Sequence, residues 1–348
     1  MKILQLFFLI TFGLTAFNPS TEACTRVVYK GPEKTVITAR SMDWKTEIDA
    51  NLWVFPRGME RNGEVGPHSV KWTSKYGSLI ASAWDIATAD GINEKGLVAN
   101  VLWLVESKYP QFDPNDTKQG ISISLWAQYV LDNFATVAEA VHHLKDEPFI
   151  VVSDYIPGTE KFTTLHLSIS DADGDNAIFE YIDGELVIHH DPSYVVMTNS
   201  PVFEQQLALN EYWQGIPGTV MLPGTNRAAD RYVRASYYIQ AIPQTDDIRT
   251  SVASVFSVIR NCSVPFGISS ETEPNISSTR WRSVADQKNL VYYFETALTP
   301  NTFWVNLNEF DLSNKGQVMK LSLSDFSTYN GKTNGSFKPT PAFKFLGL

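Results

Sequence analysis

An α+β fold, with β-sheets covered by helices, is the class this chain predicts, and three observations carry that reading. Short runs rich in β-branched and aromatic residues recur from residue 25 to residue 190. Helical patterns fall between clusters of such runs, which suggests mixed layers rather than a purely parallel sheet. No internal repeat, low-complexity tract or long linker divides the 348 residues, so they read as one domain behind a leader.

The leader is residues 1–23. Lys2 gives a positive start, an apolar stretch of about 15 residues follows, and Thr21-Glu-Ala23 is a small-x-small cleavage site. That stretch is short of the roughly 20 residues a bilayer span needs, which favours a cleaved secretory signal and a periplasmic destination without stable membrane insertion. A lipoprotein signal wants an aliphatic and a small residue before the Cys, where this chain has Thr21 and Glu22. Cleavage makes Cys24 the first residue of the mature domain, 24–348.

Residues 25–29 and 35–39 flank Gly31-Pro32 and read as an opening β-hairpin. Further strands are expected over 52–55, 79–84, 97–104, 149–152 and 164–170, and over 177–182 and 185–190. The last two are joined by Asp183-Gly184, which suits a type I′ turn because both residues tolerate positive φ. Helices are expected over 122–133, apolar on one side; over 137–144, opened by the capping box Thr136-Val-Ala-Glu139; and over 228–241, after Pro223-Gly224. Stretches 106–120 and 263–280 look like loop insertions over the surface.

Charge and cysteine content narrow the function. The net charge is −10, and no basic run offsets it, which argues against nucleic acid or an anionic membrane as the main partner. Cys24 and Cys262 are the two cysteines, so at most one disulfide could form. A Cys24–Cys262 bridge in a non-catalytic exported binding protein is one reading. The other uses the new α-amine of Cys24, whose ordinary pKa of about 7.7–8.0 lets it take a proton from the adjacent thiol. Arg40 and Asp43 follow Cys24 by 16 and 19 residues, where the returning hairpin strand brings polar groups back to the terminus.

Other chemistries find little support. The adjacent pairs His142-His143 and His189-His190 point to different faces and cannot both reach one metal, and no HExxH or Cys-rich spacing occurs. Asp171-Ala-Asp-Gly-Asp175 has its glycine misplaced for a calcium loop and reads as a hairpin turn. No G-x-S-x-G elbow is present. In the group Arg227, Arg231 and Arg234, the first and last read as a solvated helix face.

Cys24-Thr-Arg followed by Ala39-Arg40-Ser-Met-Asp43-Trp44 resembles the start of the choloylglycine hydrolase and penicillin V acylase family of N-terminal nucleophile (Ntn) amidohydrolases. The resemblance continues in order through Asp90-Gly-Ile-Asn-Glu-Lys-Gly96-Leu, Phe179-Glu-Tyr-Ile-Asp-Gly184, Met197-Thr-Asn199-Ser-Pro201, Leu222-Pro-Gly224 and Asp230-Arg231-Tyr-Val-Arg-Ala235. It implies a four-layer αββα fold, no cofactor, no metal, and a small N-acyl amide as substrate. Relatives are commonly tetramers, so a homotetramer is the implied assembly. Carried over by position, Cys24 is nucleophile and base, Arg40 and Asp43 hold the thiol and amine, Asn199 donates to the oxyanion, and Arg231 orders the polar network.

Two departures point to the Gram-negative penicillin V acylase branch. Trp103 stands where bile-salt hydrolases usually carry Asn, leaving its backbone N–H as second oxyanion donor, and the Asn199–Arg231 spacing is short. Trp44, Trp84 and Trp103 together could line an acyl pocket for a flat aromatic or long alkyl group. Aryloxyacetyl amides of the penicillin V type and N-acyl homoserine lactones are the implied substrates, with conjugated bile salts the enzymatic alternative.

Overall fold

The computed structural model describes residues 23–115, 117–268, 277–299 and 301–348. The expected leader, apart from Ala23, lies outside the described residues.

The opening hairpin is present: Cys24–Lys30 (β1) pairs antiparallel with Val36–Trp44 (β2) from Cys24↔Met42 to Lys30↔Val36. Its turn is wider than Gly31-Pro32, with Gly31 N–H donating to Thr35 O and left-handed φ at Glu33 and Lys34. Asp183 and Gly184 take φ of 50° and 89°, the pair of positive values a type I′ turn requires.

β1 and β2 belong to a seven-stranded sheet. Its order is Val196–Met197, β1, β2, Ser278–Asp286, Val291–Thr296, Phe303–Asn306, Gly331–Lys332. A nine-stranded sheet faces it, running Glu185–His190, Asn176–Ile182, Leu165–Ser170, Val98–Trp103, Ala87–Asn93, Ser78–Ala83, Leu52–Phe55 (β3), Met319–Leu321, Lys338–Pro339. Period-two alternation sends successive side chains of a strand to opposite faces. In β3, Leu52 and Val54 join the core shared with Ile37 and Val284 of the other sheet, whereas Trp53 and Phe55 join the core beneath the helices.

Helices Trp126–Asn133 (α1) and Val137–Leu144 (α2) cover the nine-stranded sheet. Phe203–Gln214 (α3), Ala228–Ala241 (α4) and Ile248–Asn261 (α5) lie on the other side, where α4 packs on β1 and α5 on β2 and Ser278–Asp286. The result is a helix–sheet–sheet–helix sandwich, the four layers expected.

Three local expectations need correction. The 122–133 segment is a 3₁₀ turn, Ile123–Leu125, leading into α1, and every residue of α1 is buried rather than one side only. Its polar members are satisfied: Asp132 accepts from Arg61, Trp72 and Gln128. In the capping box Thr136 Oγ1 accepts from Glu139 N–H, but the Glu139 carboxylate reaches Ala135 N–H, one residue before the cap. Finally, 263–280 is not wholly loop, because Ser278–Arg280 already form strand against β2. Residues 269–276 of that stretch lie outside the described residues.

Gly96 shows why the Asp90–Gly96 motif needs a terminal glycine. It turns between Ala87–Asn93 and Val98–Trp103 at φ 80°, and a Cβ there would stand 2.5 Å from Gln287 O. Gln287 in turn donates to Gly96 O and Ser170 O, tying the two sheets together at this end. Gly96→Ala is expected to cost about 2–3 kcal/mol, read as a lowered urea midpoint with unchanged slope.

Candidate active site

Cys24 begins β1 between β2 and Val196–Met197, and is 3% exposed. Register places it opposite Met42, so its side chain shares a sheet face with Met42 and Arg40. The thiol lies 3.9 Å from each of Met42 Sδ, Arg40 Nη2 and Asp43 O. Arg40 is buried and donates to Ala89 O at 2.5 Å, with its guanidinium 3.9 Å from Asp90 and over the Trp281 ring. Asp90 also accepts from Tyr292, Ser283 and Asn100, so the cation beside the thiol is held from behind by a fully bonded carboxylate.

The Asp43 carboxylate points to the opposite face of β2, as alternation demands. It accepts from Thr279 Oγ1 at 2.5 Å and Ser41 Oγ at 3.4 Å. With Cys24 still peptide-bonded to Ala23, its backbone N–H donates to Asn199 Oδ1 at 2.5 Å. Burial pushes the Asp43 carboxyl up to about 6, against the pull of Arg231 and the Thr279 hydrogen bond. Burial likewise raises the Cys24 thiol above its ordinary value, opposed by Arg40.

Arg231, fully buried on α4, fixes the arrangement. Its guanidinium donates to Cys24 O (2.5 Å), Thr25 Oγ1 (2.6 Å), Asn199 Oδ1 (2.9 Å) and Asn226 O (3.0 Å). Two donors converging on Asn199 Oδ1, from Arg231 and Cys24, settle which end of the amide is oxygen. Asn199 Nδ2 then faces Trp103 and gives one hydrogen to Trp103 O at 2.7 Å. An amide Nδ2 carries a second hydrogen besides this one. Leu104 N–H donates to Thr164 O, so by antiparallel register both backbone groups of Trp103 point to the other edge of the strand, towards Asn199.

Trp44, Trp84 and Trp103 do form one aromatic wall, with Trp44 centred 6.0 Å from Trp84 and 5.4 Å from Trp103. With Cys24, Met42, Val101 and Leu165 they line a largely apolar cavity of about 770 Å³, counted to its open mouth. Trp84 and Asp85 close a strand turn with φ of 50° each, an unfavoured conformation for a bulky side chain. Asp85 holds that turn by accepting from Ser82, Trp53, Asn51 and Lys320.

Some participants escaped the sequence. Thr279 sat in a stretch read as loop. Lys161 places its ammonium 4.2 Å from the Trp103 ring centroid and 4.7 Å from that of Trp44, and burial lowers its pKa to about 8. Arg234 is buried and donates to Pro223 O and Thr225 O, correcting its placement on a solvated face; Arg227 is exposed as expected. Cys24 and Cys262 are both free thiols, and Cys262 is directed at Arg231 O, so the single-disulfide reading is set aside. Burial raises the Cys262 thiol to about 11.

Comparison with known proteins bears on this geometry directly. Residues 24–320 match the model of linear amide C–N hydrolases, choloylglycine hydrolase family. The chain belongs to the choloylglycine hydrolase family. Among relatives, a penicillin V acylase of Pectobacterium atrosepticum is 51% identical over 97% of this chain and 95% of its own. A bile salt hydrolase/transferase of Clostridium perfringens is 26% identical over 83% of this chain and 94% of its own. The structure of penicillin V acylase from Agrobacterium tumefaciens superposes with a TM-score of 0.88 at 61% identity, covering 93% of this chain and all of that one. The chain is thus a choloylglycine hydrolase-type enzyme of the Ntn fold that hydrolyses linear amide bonds. The match begins at Cys24, the residue whose surroundings are most fully built.

Arg231 generates a prediction. Arg231→Met leaves Cys24 O, Thr25 Oγ1 and Asn199 Oδ1 short of a donor in a buried site, and is expected to lower stability by about 3 kcal/mol in urea unfolding.

Proposed function

We propose that this protein is exported, starts at Cys24 when mature, and cleaves the linear amide of penicillin V-type aryloxyacetyl compounds and N-acyl homoserine lactones. The observation that carries the reading is the thiol of Cys24 set between the Arg40 guanidinium and an apolar wall of three tryptophans. The names of the two penicillin V acylase relatives support the choice of acyl group. The cavity is largely apolar, and its offset aromatic faces suit an aryl ether or an extended alkyl chain. The apolar leader supports export to the periplasm.

In this mechanism the Cys24 α-amine takes the thiol proton and the thiolate attacks the amide carbonyl. Burial disfavours the free thiolate, so proton transfer and attack are coupled, with Arg40 supplying the nearby positive charge. The oxyanion accepts from the second Asn199 Nδ2 hydrogen and from Trp103 N–H. The α-ammonium then protonates the departing amine as the C–N bond breaks, leaving a thioester. Water attacks the thioester with the amine again as base, releasing the acid and restoring the thiol. Asn199 and Arg231 hold the Cys24 backbone still throughout, and Asp43 balances the charge of Arg231 from the opposite sheet face.

Amine release by protein beginning at Cys24 tests this on penicillin V, a long-chain acyl homoserine lactone and glycocholate, with Cys24→Ser as blank. Preference for the first two is expected, with Cys24→Ser losing nearly all activity while folded. Preference for glycocholate would replace the acyl assignment with the bile-salt one, and an active Ser variant would overturn the thiol nucleophile. Asn199→Ala is expected to lower kcat about 10²–10³-fold.

The pH profile gives a separate check. Asp43 is ionised above about pH 6 and neutral below it, so kcat/KM should fall as pH drops through that value. Asp43→Asn should remove this acid limb; an unchanged limb would assign it elsewhere.

A further inference from the structure

Leu346 is the residue of the segment 343–348 that lines the tryptophan-lined cavity. Its position there is fixed by hydrogen bonds rather than by apolar contact alone. Leu346 N–H donates to Ile86 O at 2.8 Å, and Leu346 O accepts from both Ser122 and Ser124 hydroxyls at 2.7 Å. Leu348 N–H donates to Glu64 O. Gly347 permits that approach, since a Cβ there would stand 2.3 Å from Glu64 O. Upstream, Phe343 packs on Trp53 and Phe55, and Phe345 lies under the Arg61 guanidinium.

The distance from the thiol follows from the strand. Arg40, beside Cys24, is anchored on Ala89 O, whereas Leu346 is anchored on Ile86 O of the same chain segment. Ile86 closes the Trp84-Asp85 turn and Ala89 is the third residue of the strand that leaves it, so the anchors stand at most about 10 Å apart. Ala87 and Thr88, which lie between them, also line the cavity. The reacting carbonyl must sit at the Cys24 end, so an acyl group runs along these residues towards the tail.

We propose that the segment 343–348 is the far wall of the acyl pocket and that Leu346 sets the length of acyl group the enzyme accepts. This rests on the proposed N-acyl amidase reading. A tail held by paired hydrogen bonds at Leu346 and Leu348 is a fixed stop rather than a flexible flap, and its one apolar side chain facing the cavity is the part an over-long chain would meet.

The test measures kcat/KM on N-acyl homoserine lactones from hexanoyl to dodecanoyl for the mature enzyme, Leu346→Ala and Leu346→Phe. The dodecanoyl-to-hexanoyl ratio should rise about tenfold in Leu346→Ala and fall about tenfold in Leu346→Phe. A ratio within about twofold of the parent in Leu346→Ala overturns the proposal, whether or not the larger side chain is tolerated. If the parent cleaves none of the series, the lactone substrate assignment fails, and the wall is read from calorimetric binding of decanoate and hexanoate. Leu346→Ala should then strengthen decanoate relative to hexanoate about tenfold, and equal change for both would overturn the wall.

Discussion

The buried guanidinium of Arg231 is the constraint from which the rest of the site follows. An uncompensated cation in a protein interior is costly, and this one is balanced by four acceptors and by the Asp43 carboxylate. Those acceptors belong to β1, to the segment after Val196–Met197 and to the entry of α4. Joining them sets the first residue of β1 against the Asn199 amide, and thereby decides which end of that amide turns to Trp103. Remove the guanidinium and two buried backbone carbonyls, Cys24 O and Asn226 O, lose the donor it supplies.

A division of labour between the two faces of β2 follows. Arg40 and Met42 look inward to the thiol, while Ser41 and Asp43 look outward to Thr279 and Arg231. Positive charge therefore stands on both sides of Cys24, one cation paired with Asp90 and the other within the electrostatic reach of Asp43. The thiol is raised by burial while the neighbouring carboxylates remain within reach of cations, a combination that keeps the nucleophile protonated until a base is close.

How much of this was legible in the sequence depends on distance along the chain. The β1–β2 hairpin, the Asp183-Gly184 turn and α4 could be read because local chemistry specifies them. The association of Cys24, Arg40, Asn199 and Arg231 could be read because ordered motifs mark it. The face assignment of Asp43 needed register, which a hairpin of unknown turn length does not supply. Thr279, Lys161 and Leu346 come from segments with no distinguishing pattern, and only the packing of remote strands brings them to the site. Arg234 was misplaced because an arginine in a helix looks solvated unless the carbonyls that receive it are known.

The left-handed pair at Trp84 and Asp85 has a bearing on how such a pocket diversifies. The orientation of Trp84 is inherited from Asn51, Trp53, Ser82 and Lys320, which belong to three neighbouring strands or their ends and include a residue near the far end of the chain. Exchanging one of those donors would retune an aromatic wall while leaving every reacting atom in place. Substrate range in this architecture can therefore drift through substitutions that a survey of the thiol's own neighbours would pass over.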